Sequence, residues 1–318
     1  MKKFLKIIRN IFVIILVLIA AWTLINQVLI RIDEKELTQC GKYVTVNESK
    51  MNVYSVGNGE KTIVLMPGLG TTAPVLDFEP LTNELATDFH VVIVEPFGYG
   101  WSDYTKNDRS VENIVEELRM ALNESGEKGP YILMPHSVSG IYATWFANKY
   151  PEEVEAIVGI DCTLPKQVEY FGGENPKVPS IAKIVNPLGL QRLVCMVSPL
   201  TFISDNKADM YTEENLSQQK LLSSRVGFNK TIIDETNSIG RNIQETYTMT
   251  FDSAMPLLFF TRETNSQSDE KTKTSFYETY ITNSEIQKVI VLDTGHYMHW
   301  DKANKIASNT KDFLISNR

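Results

Sequence analysis

Apolar residues divide the chain into two parts of different character. Residues 11–30 are hydrophobic all the way round the helical wheel, broken only by Thr23, Asn26 and Gln27. A helix packed on a soluble core would show one apolar stripe instead. Roughly 20 apolar residues is the length a bilayer core requires, so this segment predicts a transmembrane helix. From Tyr43 onward the pattern shortens into β-rich runs at 43–46, 52–56, 62–66, 91–95, 131–134 and 157–161. Between them, 75–86 and 111–122 carry apolar residues at helical spacing, the second with Ser110 placed as N-cap and Glu112 in its first turn. That alternation predicts an α/β protein with a mainly parallel sheet between helices.

After Leu164 the alternation stops. Pro176, Pro179, Pro187, Gly189 and Pro199 break up a patchwork of short helices. Runs at 256–261 and 288–292 then resume the sheet, and Ala303, Ile306, Ala307, Thr310, Phe313 and Leu314 mark one face of a closing helix. The expected organisation is a membrane anchor (1–31), a first core part (32–162), an inserted helical lid (163–254) and a second core part (255–318).

Charge sets the orientation. Lys2, Lys3, Lys6 and Arg9 precede the apolar run, whereas Arg31 and Lys35 beyond it are mixed with Asp33, Glu34 and Glu36. The positive-inside rule then predicts a single-pass protein of the cell membrane, N-terminus cytoplasmic and body outside. A cleaved signal peptide is the rival: Ala20 and Ala21 are small, but Ile19 precedes them and the apolar run continues through Trp22 and Leu24. The net charge is -8, and residues 1–31 hold five basic and no acidic residues, leaving 26 basic against 39 acidic in the rest, or -13. A body this acidic is repelled by phosphate backbones, which argues against nucleic acid as a partner. The three cysteines, Cys40, Cys162 and Cys195, are odd in number and form no C-x-x-C, so neither a disulfide framework nor a zinc site is indicated.

The chemistry concentrates at strand ends. Residues 133–140 join a β-run to a helical one and place Ser137 at the junction, where a nucleophile elbow belongs. Pro135 stands where the first glycine of that motif is usual and Ser139 where the second is, with Gly140 following. A serine there can also act only as a helix cap. Upstream, Met66-Pro67-Gly68-Leu69-Gly70 ends the third run, where the Leu69 N–H, with that of Val138, could hold an oxyanion. The same stretch also reads as a plain strand-ending turn. Of four histidines, His296 is the best-placed general base, because it follows the last strand run. His296 and His299 form an H-x-x-H pair, but no cysteine or helical carboxylate motif accompanies them, and no metal or cofactor is implied.

Pro67-Gly68-Leu69-Gly70, Glu95-Pro96-Phe97-Gly98-Tyr99-Gly100-Trp101-Ser102-Asp103, the elbow at Ser137 and Gly295-His296 together resemble the α/β-hydrolase superfamily in order and spacing, over residues 43–318. The resemblance implies the α/β-hydrolase fold: an eight-stranded sheet with a lid after the sixth strand, nucleophile Ser137, base His296, and oxyanion donors Leu69 and Val138. The family's usual acid after strand seven aligns with Asn265, which cannot supply a negative charge. Some members carry the acid after strand six, where this chain has Asp161. Asp161 is therefore the expected acid and Glu263 the alternative, with Asp269, Glu270 or no acid behind them. A carboxylate at 161 could also merely organise the strand-end turn.

The reaction implied is acyl transfer to water on a small-molecule ester or amide. Haloalkane dehalogenases and epoxide hydrolases of this fold use aspartate where Ser137 stands, which disfavours their chemistry. Carboxylic ester hydrolysis stands ahead of aminopeptidase action, because the lid is rich in Ile181, Ile184, Leu188, Leu190, Leu193, Val194, Met196, Leu200 and Phe202, a wall suited to apolar acyl groups. Packing of those residues on the core explains them equally well. A membrane-tethered, non-catalytic ligand-binding protein that keeps the fold is the second reading. Asn265 favours it, and Ser137, His296 and the glycine loop oppose it.

Overall fold

The computed structural model describes residues 1–262 and 271–316. It opens on helix α1 (Lys2–Glu36), which contains neither glycine nor proline and runs five residues past the expected boundary at 31. The helix is long and apolar enough to cross a membrane, and almost none of its apolar stretch is covered by the rest of the chain. A signal sequence has the same properties.

Strands β1 (Lys42–Val46), β2 (Ser49–Val56) and β3 (Thr62–Met66) follow, then helices α2 (Pro74–Asp77) and α3 (Glu79–Leu85), strand β4 (His90–Glu95), helix α4 (Val111–Glu124), strand β5 (Tyr131–Pro135), helix α5 (Ser139–Lys149) and strand β6 (Val154–Ile160). The single helix expected over 75–86 is divided at Phe78. Pro80 has no N–H to continue the ladder and instead occupies the first turn of α3. Ser110 caps α4 as expected, its side chain accepting the Asn113 N–H.

Five helices fill the stretch between β6 and β7: α6 (Gln167–Phe171), α7 (Ala182–Val185), α8 (Leu190–Val197), α9 (Glu213–Val226) and α10 (Lys230–Thr246). Strand β7 (Leu257–Arg262), helix α11 (Lys273–Glu278), strand β8 (Gln287–Leu292) and helix α12 (Ala303–Ser316) close the chain.

The eight strands form one sheet in the order β1-β2-β4-β3-β5-β6-β7-β8. Only the pairings of β2, with β1 and with β4, are antiparallel. The central strands are apolar on both faces because helices cover both. Alternate residues feed two cores. Val64, Met66 and Leu133 pack with α4 and α5, and Ile63, Leu65, Ile132 and Met134 pack with α3 and α12. The carboxyl ends of β3, β5 and β6 therefore lie side by side, in register at Met66 and Pro135, with His136 bridging to Ile160. Such an end is where open α/β sheets place their sites.

Candidate active site

Between β5 and α5 the chain reverses within three residues. Ser137 sits at φ +53°, a left-handed conformation that costs a non-glycine residue of order 1–3 kcal/mol and persists only where neighbours enforce it. Here its carbonyl accepts the Thr163 N–H at 2.7 Å and the Gly140 N–H at 3.1 Å, which clamps the turn from both sides. Gly140 is required by contact, since a Cβ there would lie 2.4 Å from the Thr163 oxygen. Ser139, in the place of the usual glycine, is buried, and its hydroxyl donates to the Pro67 carbonyl at 2.5 Å. The departure from the motif thus ties the turn to the glycine loop after β3, a role the sequence reading did not find.

That loop lies against the turn. A Cβ on Gly68 would be 2.8 Å from His136 Nδ1 and 3.1 Å from Ser137 Cβ, so only glycine fits. The Tyr99 hydroxyl accepts the Gly70 N–H at 3.2 Å and donates to buried Glu235, which also accepts the Tyr142 hydroxyl. Glu95 braces the next layer by accepting the Trp101 N–H, the Val75 N–H and the Asn52 side-chain amide. Burial, only partly offset by those hydrogen bonds, pushes Glu95 up to about 7. Among the described residues, the N–H groups of Leu69 and Val138 donate to no protein acceptor.

His296 reaches the turn from the loop after β8. Its Nε2 lies 3.0 Å from Ser137 Oγ and its Nδ1 lies 2.5 Å from Asp161 Oδ2. Nδ1 therefore donates to the carboxylate, which leaves Nε2 to accept the serine proton. Asp161, at the end of β6, is buried and also left-handed, at φ +40°. Burial alone would raise its pKa. The hydrogen bond from His296 and the charge and hydrogen bond of Lys273 outweigh burial and hold it below the usual carboxylate range. Lys273 Nζ contacts the other oxygen, and Arg262 Nε lies 3.4 Å from Oδ2. Neither cation was legible as a site residue, because both sit far from Asp161 in sequence and outside any motif. The alternative acid Glu263, with Asn265, Asp269 and Glu270, lies outside the described residues.

The other two histidines nearby are structural neighbours of the site. His136 is buried and its Nε2 donates to the His296 carbonyl at 3.2 Å. Burial, with the adjoining rings of His299 and His296, holds it well below the usual histidine range, so it is neutral. His299 Nε2 donates to Asp77 at 2.8 Å, and Asp77 also accepts the Trp300 indole N–H and the Ser204 hydroxyl. Asp77 thus fastens the His296 loop to α2 and to the β6–β7 stretch.

A family profile described as the alpha/beta hydrolase fold matches residues 61–196. A putative epoxide hydrolase from Pseudomonas aeruginosa superimposes with a TM-score of 0.71 at 14% identity, covering 89% of this chain and 98% of that one. The chain has the α/β-hydrolase fold, and its residues 61–196 are similar to that family. The structural likeness, at that identity, speaks for the fold. Among curated relatives, the uncharacterized protein YbdG of Bacillus subtilis (strain 168) is 35% identical over 187 residues, 56% of this chain and 57% of that protein. The pimeloyl-[acyl-carrier protein] methyl ester esterase of Shewanella woodyi is 29% identical over 135 residues, 41% of this chain and 48% of that protein. Each match therefore spans little more than half of the relative, or less.

Proposed function

We propose that this α/β hydrolase is a serine hydrolase that cleaves a carboxylic ester through an acyl-enzyme on Ser137. The observation that carries the reading is the unbroken hydrogen-bond chain Ser137 Oγ to His296 to Asp161, set on a left-handed turn at the carboxyl end of the sheet. Ser137 Oγ attacks the substrate carbonyl while His296 Nε2 takes its proton. Asp161 keeps the imidazole in the Nδ1–H tautomer and stabilises the imidazolium. The free N–H groups of Leu69 and Val138 hold the oxyanion that forms. Collapse of the tetrahedral intermediate expels the alcohol, which takes the proton back from His296. Water, deprotonated by the same histidine, then releases the acid.

A serine at this turn forms an acyl ester. It does not supply the carboxylate with which the epoxide hydrolases of this fold attack. Ester stands ahead of amide because a named relative is a methyl ester esterase. Residues 163–254 act as the lid.

The chain is held in the cell membrane by α1, with the N-terminus cytoplasmic and the hydrolase body outside. Fluorophosphonate labelling tests the catalytic reading. Covalent modification of Ser137, absent from Ser137→Ala, is expected. A folded wild-type protein that stays unlabelled would instead be a binding protein on a hydrolase fold.

A further inference from the structure

Helix α8 is built inside out. A surface helix in water turns its charged residues outward. Here Gln191 and Arg192 are buried, while Leu193, Met196 and Val197 are 39%, 66% and 87% exposed. Leu190, Leu193, Val194 and Val197 follow one another at i, i+3, i+4 and i+7, a single stripe that faces away from the protein. Ile181 and Ile184 before the helix and Leu200 after it are exposed as well.

The buried polar groups find their partners on α1 and α9. Arg192 donates to Asn26 at 2.8 Å and pairs with Asp33 at 2.5 Å, and Gln191 donates to the Ser223 carbonyl. Polar residues turned inward and satisfied, with apolar ones outward, is the arrangement proteins adopt against lipid.

The position of α8 fits that surrounding. Trp22 and Thr23 of α1 donate to the carbonyls of Gly189 and Leu188. A Cβ on Gly189 would lie 2.7 Å from the Trp22 indole nitrogen, so α8 starts in contact with α1. Asn26 lies four residues before the end of the apolar run, about 6 Å inside it at the helical rise. A neighbouring cleft brings Asn26, Gln27 and Ile30 of α1 together with Lys106 and Arg225. Neither cation has an ion-pair partner among the described residues, and both would stand at headgroup level, where cations are favoured. After the helix, Leu200 and Phe202 share a second cleft with Gly70, Thr71 and Tyr297, between the glycine loop and the residue after His296.

We propose that the face formed by α7, α8 and Leu200 lies in the outer leaflet of the bilayer that α1 spans, and that the site takes its substrate, an acyl ester of amphipathic, lipid-like character, from that leaflet. The proposal rests on the membrane and ester-hydrolase readings above.

The test uses the full chain in phosphatidylcholine–phosphatidylglycerol vesicles. In a Cys40→Ser background, where the remaining cysteines are buried, nitroxides are placed on Leu193→Cys and Val197→Cys, with Ile25→Cys in α1 and exposed Glu152→Cys as references. Oxygen should reach the labels at 193 and 197 in preference to a water-soluble nickel chelate, as at 25 and unlike at 152. Chelate access at 193 and 197 while the chain resists carbonate extraction would overturn the proposal and leave the anchor standing. Chains released by carbonate would sink the anchor reading instead. Disulfide cross-linking between Val197→Cys copies, with both probes excluded, would make the face a dimer interface and likewise overturn it.

In the same vesicles, Leu193→Asp/Val197→Asp should hydrolyse a soluble short-chain ester at the wild-type rate. Its rate on a membrane-borne long-chain ester should fall about tenfold, because charge at leaflet depth shifts the docked population. Equal losses on both esters, or on neither, would refute the substrate claim. A wild type inactive on both would refute the catalytic reading, with the label results still deciding where the face lies.

Discussion

Asp161→Asn removes one charge and keeps the shape of the side chain. In the transition state His296 becomes imidazolium, with its Nδ1 2.5 Å from a carboxylate that has no solvent exposure. Two unit charges about 4 Å apart attract by about 4 kcal/mol at an effective dielectric of 20. Lys273 on the other oxygen and Arg262 beside it offset part of that attraction. Loss of the Nδ1–H acceptor adds back, because an asparagine amide turned toward Nδ1 favours the wrong tautomer. At 1.36 kcal/mol per tenfold, the two together predict a fall in kcat of about 10³-fold. The upper bound is the roughly 10⁴-fold of the chymotrypsin-type aspartate. Turnover of a short-chain p-nitrophenyl ester would be followed, with circular dichroism to check the fold. Since the oxyanion donors and Ser137 survive, a residual rate above that of water should remain. Glu263→Gln should cost less than tenfold by the same reasoning. A folded Asp161→Asn within tenfold of wild type, together with collapse in Glu263→Gln, would refute the assignment of the acid.

Ser137→Ala should abolish ester hydrolysis and leave the melting temperature within a few degrees, because the half-buried hydroxyl contributes little packing. Retained turnover would reject the nucleophile. Asp77→Ala should lower stability by about 3 kcal/mol, since it strands His299 and the Trp300 indole without their acceptor, while Ser204 keeps Gln219. It should also slow turnover by loosening the His296 loop, so thermal melting and kcat measured together check it. Glu95, raised to about 7 in the fold from an ordinary value near 4.5, retains a proton that the unfolded chain gives up. Its contribution therefore makes stability fall as pH rises from about 4.5 to about 7, by about 3 kcal/mol in all. Melting temperatures of wild type and Glu95→Gln across that range should converge at low pH and diverge in favour of the variant at neutral pH. A flat difference would reject the shift.

The sheet was legible because its central strands are short, apolar and bounded by turns. Each expected run falls on an observed strand, with ends displaced by three residues or fewer. The break between α2 and α3 was missed because Pro80 sits within an otherwise helical spacing, where a proline can begin a second helix as readily as end a first. Ser137 and His296 are read from their positions at strand ends, and the fold brings the two side chains within 3.0 Å. Asp161 rests on the resemblance: Asn265 stands where the usual acid belongs, and some members carry the acid after strand six, where this chain has Asp161. Lys273, Arg262, Asp77 and Ser139 were illegible for one physical reason. Each acts through a tertiary hydrogen bond or ion pair across 72 residues or more of chain, and none of their local sequences differs from an ordinary helix start, strand or turn.

The apolar residues between β6 and β7 show where pattern alone runs out. Periodicity in α8 identifies a stripe, but not whether it faces protein, water or lipid. Both candidate explanations, an acyl-binding wall and a packed inner face, assumed that the apolar side pointed inward. The structure reverses it: the polar residues Asn26 and Arg192 meet each other, and the stripe is left outside. The deciding signal was present in the sequence as three polar residues, Asn26, Arg192 and Asp33, which look like unrelated blemishes in apolar or mixed segments. Their contact, with those of Trp22 and Thr23, shows that α1 and the start of α8 share one interface, which sets the stripe beside the C-terminal turns of α1. A polar residue inside an apolar run is therefore informative about the run's neighbours, because it must find a partner there.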